Sequence, residues 1–323
     1  MMPSRITVDL RKTPEKRWKL SPKQAQQARE LMRSYVQDLG GLAQFEDLLD
    51  MYAQTGLPAA YYAEVMSLAR MLQTSPEEAL LGNLYYDAVK FVFGCTAFAT
   101  DTPDGPIHAR NLDWWTENGM LASYTMVTDF IHGPNGHRYT TVGWPGFAGA
   151  LSGVAHGRFA ITLNAVLSND PPELAPSISF VIRSVLEESP SFAAAVDILA
   201  SQPIATDCLL LVSGINAGEF VVIERTPTKG IVRTSEQDFI AVANDYLIID
   251  ADTGLSSGEL HATSCQRFDC ATEHLGRSRP TTAEGCFAIL TDPKIQMGIT
   301  VQQMVLHAQK GLSNIRIPSQ AMH

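Results

Sequence analysis

The spacing of apolar residues changes character near residue 95. Residues 4–10 (SRITVDL) alternate as a short strand. After them apolar positions recur at helical spacing over about 21–38, 41–54, 58–73 and 75–92. Ser21 stands where it caps the first helix, and Ser75-Pro76-Glu77-Glu78 opens the last with Pro at the first position and acids in the first turn. Beyond Cys95 short runs rich in Val, Ile, Thr and Phe predict strands at 95–101, 106–112, 122–132, 137–143 and 158–166. Thr102-Pro103-Asp104-Gly105 makes the first two a hairpin. Helical patterns return at 177–188 and 191–201. Strands follow at 207–213, 218–225, 230–235 and 239–243, then a helix at 261–276 and strands near 299–307 and 314–317. Runs of strands with segregated helices predict an α+β layered fold. The chain shows no internal repeat and no low-complexity linker.

Composition narrows the function classes. The 323 residues are 45% hydrophobic and 18% charged, enough for a sizeable core. The net charge of -10, with no basic run, gives no support for a nucleic-acid partner. No apolar core of a secretory signal follows the start, and no window reaches the roughly 18 apolar residues of a membrane span, so a cytoplasmic protein without a transmembrane segment is expected. The five cysteines, at 95, 208, 265, 270 and 286, are an odd number in a long chain, and reduced thiols are the expectation. Cys265 and Cys270 have no CxxC partner and no suitably spaced His, so neither a metal site nor a cofactor is expected.

The candidate chemistry centres on Phe91 to Trp115, FVFGCTAFATDTPDGPIHARNLDWW. A lone strand cysteine is ordinarily core; its neighbours change that reading for Cys95. A cysteine nucleophile needs a base, charge beside its thiolate and donors for an oxyanion. His108, His156 and His261 are isolated, and no GxSxG or HExxH is present. An α-amino group, with a pKa of about 7.7–8.0, suits the task, and cleavage before Cys95 supplies one on the nucleophile's own residue.

Several segments carry a family resemblance: ITVDLRKTPEKRW, LGNLYYDAVKFVFGCTAFAT, GPIHARNLDWW, GWPGFAGALSGVAHGRFAITLNAV, AVANDYL and TSCQRF. In this order they resemble the N-terminal-nucleophile hydrolases of the choloylglycine hydrolase superfamily, on the acid ceramidase and N-acylethanolamine acid amidase branch. The resemblance runs nearly end to end. It implies a four-layer αββα sandwich and a precursor cut between Gly94 and Cys95. It divides the chain into a helical segment, 1–94, and a catalytic segment, 95–323, which stay together as a heterodimer.

By that resemblance Cys95 supplies thiol and amine, Asp113 holds the amine, and Arg110 favours the thiolate. Asn164 and Asn244 offer amide N–H groups to the oxyanion, and Arg267 on helix 261–276 completes the set. The structural alternatives are an exposed strand-end ion pair for Arg110 and Asp113, turn chemistry for the asparagines and a solvated helical arginine for Arg267. Trp114, Trp115, Trp144, Phe147 and the GFAGALSG loop suggest an acyl-chain pocket or, equally, ordinary core. The implied reaction is hydrolysis of the linear amide of an N-acyl amine, a fatty acylethanolamide or ceramide-like lipid. The alternatives are acyl transfer, a bile-salt or penicillin amidase, and a non-catalytic lipid-binding protein on the same fold. Leu80, Leu84, Tyr85, Val89, Phe91 and Phe93 span too wide an arc for one apolar stripe, so the helix over 75–92 is expected to pack onto the catalytic part and screen Cys95 before cleavage.

Overall fold

The structure, a computed structural model, describes residues 3–89, 93–114, 119–168, 170–171, 173–250 and 263–319. Phe91, Trp115 and His261 lie outside the described residues.

The first segment opens with β1 (Ser4–Asp9) and α1 (Pro14–Arg17). The helices α2 (Pro22–Asp38), α3 (Glu46–Thr55), α4 (Ala59–Leu72) and α5 (Pro76–Val89) follow, with a 3-10 turn at Ala43–Phe45 ahead of α3. Two of their starts are fixed by reciprocal capping. Ser21 Oγ accepts from Gln24 N while Gln24 Oε1 accepts from Ser21 N, and Ser75 and Glu78 make the same exchange. On α5, Leu80, Leu81, Leu84, Tyr85 and Tyr86 are all buried, so this helix is enclosed on several sides.

The expected division falls inside β2 (Phe93–Thr100), and the chain beyond it supplies β3 (Ile107–Trp114), a helical turn α6 (Met120–Ser123), β4 (Met126–His132), β5 (His137–Gly143), β6 (Ser152–Ala155) and β7 (Phe159–Asn164). It continues with α7 (Ile178–Glu188), α8 (Phe192–Ser201), β8 (Cys208–Ser213), β9 (Phe220–Arg225), β10 (Gly230–Arg233), β11 (Phe239–Val242), α9 (Ser264–Arg277), α10 (Ala283–Leu290), β12 (Thr300–His307) and β13 (Gly311–Arg316). Several short elements depart from the sequence expectation, the four-residue α1 among them. The single strand predicted over 122–132 begins instead with α6, after Gly119 at φ 59°. The four residues of β6 and the two turns of α10 are too short to display a period.

Among the described residues the strands form two sheets. One runs β1-β4-β5-β6-β7-β8-β9-β10 and the other β11-β2-β3-β12-β13. All neighbours are antiparallel except β1, which joins β4 in parallel. Alternation along each strand sorts side chains between layers. Ala97, Ala99, Ile240 and Val242 meet Leu209, Leu211, Phe220 and Val222 between the sheets. Phe98, Ala109 and Ala241 face the other way, against Ala271, Leu275 and Phe287 of α9 and α10. Ile161, Leu163, Leu210 and Val212 face Ile178, Ile182, Leu186 and Leu199 of α7 and α8. The result is a four-layer αββα sandwich.

The two segments share one core. β1 is an edge strand of the larger sheet, and Leu31, Leu68 and Leu84 belong to the same apolar cluster as Cys95 and Leu163. Asn83 on α5 holds the glycine-rich loop after β5: its Nδ2 donates to Gly146 O (3.2 Å), and its Oδ1 accepts from Ala148 N (2.7 Å). Gly146 sits at φ +83°, and a Cβ there would meet Ala28 and Met32 of α2 at 3.0 and 3.1 Å, so the loop lies tight under the helical segment.

Candidate active site

Cys95 is the third residue of β2, 1% exposed, and pairs in register with Leu112 on β3. Its thiol faces the larger sheet, with Sγ 3.8 Å from Leu163 O on β7. The intact chain continues through Gly94, which pairs with Asp113. The bond expected to be cut therefore lies within a paired strand, opposite a carboxylate.

Arg110 reaches the thiol from the adjacent strand, with Nη2 3.1 Å from Cys95 Sγ. Its other contacts are Leu151 O at 3.1 Å, Leu163 O and Ser152 Oγ. Carbonyls, a hydroxyl and the thiol thus surround a fully buried guanidinium. Asp113 lies an odd number of residues away, so it points to the opposite face of β3. It too is fully buried; Oδ1 accepts from Thr300 Oγ1 (2.5 Å), and Oδ2 has no hydrogen-bond partner among the described residues. Burial raises its pKa above the ordinary carboxyl value, opposed by Arg267, the Thr300 bond and Arg110. The exposed strand-end ion pair considered for Arg110 and Asp113 is therefore not what the fold builds: both are buried, on opposite faces.

Arg267, 1% exposed on α9, closes the site from the outer layer. Nη1 donates to Cys95 O (2.5 Å) and to Thr96 Oγ1 (3.0 Å), and Nη2 donates to Asn244 Oδ1 (2.8 Å). Asn244 Oδ1 also accepts the backbone N–H of Cys95 at 3.0 Å. Two donors converge there, so the side-chain oxygen faces the nucleophile and Nδ2 turns to Ala165 O at 2.7 Å. Asn164, at the end of β7, donates to Ala243 O (2.8 Å) and Val242 O (3.3 Å), and its Oδ1 has no hydrogen-bond partner among the described residues. In the intact chain both amide NH₂ groups are thus spent on backbone carbonyls, not aimed at the sulfur.

All six residues singled out from the sequence are buried: direct hydrogen bonds join Cys95 to Arg110, Asn244 and Arg267, whereas Asp113, on the other face of β3, and Asn164 bond to other groups. Sequence reasoning missed Thr300, Thr96 and Ser264, whose hydroxyls hold Asp113, Arg267 and the Asn244 N–H. Thr300 lies 187 residues from Asp113, so only strand register reveals it. His108 is fully buried between Ser213 Oγ (3.0 Å) and Thr162 Oγ1 (2.8 Å). Burial, and secondarily Arg110, lowers its pKa to about 3, so it stays neutral and structural.

The aromatic residues beside the site join the segments. Trp114 stacks on Tyr85 of α5 (5.8 Å, 9°), Tyr85 stacks on Tyr35 of α2 (4.1 Å), and Trp144 meets Trp114 edge-on (5.2 Å). Phe147 is only partly buried against the same core. A separate apolar cavity of about 450 Å³ opens between the segments, lined by Leu49, Tyr52, Leu81 and Leu84 on one side and Leu174 and Ala205 on the other. Among the described residues no helix is long and apolar enough to cross a membrane.

Comparison with known proteins gives the chain's relatives. A 250-residue stretch is 26% identical to the acid ceramidase of Balaenoptera acutorostrata scammoni, covering 68% of this chain and 62% of that protein. Another of 244 residues is 29% identical to the N-acylethanolamine-hydrolyzing acid amidase of Mus musculus, covering 69% and 64%. The chain thus spans just under two thirds of the length of these curated relatives. The solved Caenorhabditis elegans ortholog of N-acylethanolamine-hydrolyzing acid amidase shares the fold, with a TM-score of 0.54 and 23% identity, over 70% of this chain and 95% of that one. A sequence model of the family described as acyl-coenzyme A:6-aminopenicillanic acid acyl-transferase matches residues 100–298, beginning just after Cys95 and spanning Arg110, Asp113, Asn164, Asn244 and Arg267. The chain belongs to that family, within the N-terminal-nucleophile hydrolases.

Proposed function

We propose that this chain is a cysteine amidase that hydrolyses the linear amide bond of N-acyl amines, a fatty acylethanolamide or ceramide-like lipid, after cutting itself between Gly94 and Cys95. One observation carries the reading. The Cys95 thiol lies 3.1 Å from a buried guanidinium that has carbonyls and a hydroxyl, not a carboxylate, as its other partners. A permanent positive charge sits where negative charge develops on the sulfur.

In the precursor, Cys95 Sγ attacks the Gly94 carbonyl. The peptide C–N bond breaks, the acyl group passes to sulfur and the Cys95 nitrogen leaves as a free amine. Water then hydrolyses the thioester, giving the Gly94 carboxylate and the free thiol. In the cut enzyme that amine takes the thiol proton, the sulfur attacks the substrate amide, and the amine returns the proton to the leaving nitrogen. Water releases the acid from the acyl-enzyme. Asp113 Oδ2, without a hydrogen-bond partner among the described residues, is the acceptor for the new ammonium. Asn164 and Asn244 are the candidate oxyanion donors, a role that requires their Nδ2 groups to turn away from Val242 O, Ala243 O and Ala165 O. The apolar cavity between the segments suits an acyl chain.

The test is processing and turnover together. The wild type should yield fragments of roughly 10 and 25 kDa from its 35.2 kDa chain. It should release free acids from a panel of N-acyl amides, followed by mass spectrometry. Cys95→Ala should stay one chain and be inactive; normal hydrolysis by that variant would refute the assignment. The family description favours acyl transfer as a second reading. Adding amine or thiol acceptors to the same assay separates the two by product: acylated acceptor rather than free acid.

A further inference from the structure

We propose that Cys270, His274 and Asp292 form a binding site for one zinc-class divalent cation in the outer helical layer. The proposal does not depend on the chemistry assigned to Cys95. Cys270 and His274 stand four residues apart on α9, so both side chains leave the same face of the helix. Asp292 comes from the turn after α10. The thiol sulfur, an imidazole nitrogen and a carboxylate oxygen all lie within 4.8 Å of one another. Sequence spacing gave no hint of this trio, because the third member is 18 residues beyond the histidine and only the packing of α10 beside α9 returns it.

The carboxylate is already aimed. Asp292 Oδ1 accepts the Lys294 N–H at 2.8 Å, which turns Oδ2 to His274 Nε2, also at 2.8 Å. Such outer contacts orient metal ligands in established sites. With metal–sulfur bonds of about 2.3 Å and metal–nitrogen or –oxygen bonds of about 2.0–2.2 Å, tetrahedral ligands stand about 3.3–3.6 Å apart. The three atoms need to shift by only about 1 Å, the sulfur inward and the His–Asp contact slightly open.

The donor set selects the ion. One sulfur, one nitrogen and one oxygen suit Zn²⁺ and disfavour Mg²⁺ and Ca²⁺, which prefer oxygen. A thiolate and a carboxylate together neutralise a divalent charge. Cys270 is buried, whereas the side chains of His274 and Asp292 are 37% and 23% exposed, so the fourth position faces water. A metal here would clip α9 to the turn leading into β12. Arg267, which holds Cys95 O, lies one turn before Cys270 on the same buried face of α9. The ion would therefore steady the helix that presents this arginine.

The experiment uses the full chain carrying Cys95→Ala, which removes the active-site thiol, stripped with chelator and titrated with Co²⁺ and then Zn²⁺. We expect one Co²⁺ per chain with a thiolate-to-cobalt charge-transfer band, displacement of that band by Zn²⁺ and a higher Tm with either metal. Cys270→Ser should abolish the band. His274→Ala and Asp292→Asn should weaken binding by at least about tenfold, and Cys265→Ser should leave it unchanged. Because His274 is partly exposed, His274→Ala with an unchanged circular dichroism spectrum separates lost binding from lost folding. No charge-transfer band, or a band that persists in Cys270→Ser, would reduce the trio to a His–Asp ion pair beside an ordinary buried thiol.

Discussion

Glu64 is the contact at which the two segments should be most sensitive to a single change. It lies on α4 in the first segment with no exposed surface. Its carboxylate accepts from Trp18 Nε1 (2.7 Å) and Arg17 Nη1 (2.7 Å), and from Arg183 Nη1 and Nη2 (3.0 Å each). Arg183, on α7 in the second segment, is equally buried and also donates to Ala148 O at 2.8 Å. Burial alone pushes the Glu64 carboxyl up, but the Arg183 charge and the hydrogen bonds from Arg183, Trp18 and Arg17 outweigh it and hold the group below the usual range. Glu64→Ala leaves the Arg183 guanidinium buried without its bidentate counter-charge. Removing one partner of such a pair costs about 3–5 kcal/mol. At about 2 °C per kcal/mol for a chain of this size, Tm should fall by about 6–10 °C. The proposed cut adds a second readout. On size exclusion after processing, the fragments of Glu64→Ala should separate at concentrations where wild-type fragments co-elute. The double change Glu64→Leu with Arg183→Met should recover much of the loss, because it removes both desolvated charges. A Tm drop below about 2 °C in Glu64→Ala, with co-elution unchanged, would refute the reasoning.

Three other outcomes follow from the site. Asp113 has a raised folded pKa, so its contribution to the uncut form is fully present below 3.8 and is lost as pH rises through that raised value. Urea midpoints across pH for Cys95→Ala with and without Asp113→Asn should differ in slope, and parallel curves would exclude Asp113. His108 has a folded pKa depressed from 6.5 to about 3, so its contribution is present above 6.5 and lost as pH falls through this window, by roughly 4–5 kcal/mol at full extent. In wild type, stability should decline over that range; in His108→Gln the decline should be shallower, and an equal decline would remove His108 as its source. Cys95 is 1% exposed in the uncut chain, so a small alkylating reagent should label it slowly before the cut and quickly after α5 is released. Equal rates in time-resolved peptide mapping would remove α5 as the screen.

Much of the framework follows from local rules that act within a few residues. Helical spacing and capping residues such as Ser21 and Ser75 fix where α2 and α5 begin, because orphan N–H groups need acceptors wherever the chain goes next. Alternating or wholly apolar runs predict most of the strands, and the shift from helices to strands near Cys95 marks the expected division between segments. The six candidate residues were singled out because their motifs occur in the order of a known family.

Tertiary structure decided what depends on meeting partners far along the chain. It placed β1 parallel to β4, since edge pairing has no local signature. It buried Arg110 and Asp113 on opposite faces of β3, where the sequence also allowed an exposed ion pair, because a strand covered by layers on both sides leaves no solvent face. It brought Thr300 beside Asp113 and turned the Asn244 oxygen to Cys95, since two donors converge there. It joined Glu64 to Arg183 across 119 residues, and Asp292, in the turn after α10, to His274 on α9. The meetings at Asp113, Asn244 and Glu64 are selected by burial: a buried charge or polar group must find its counterpart in the fold, and sequence separation places no limit on where that counterpart lies.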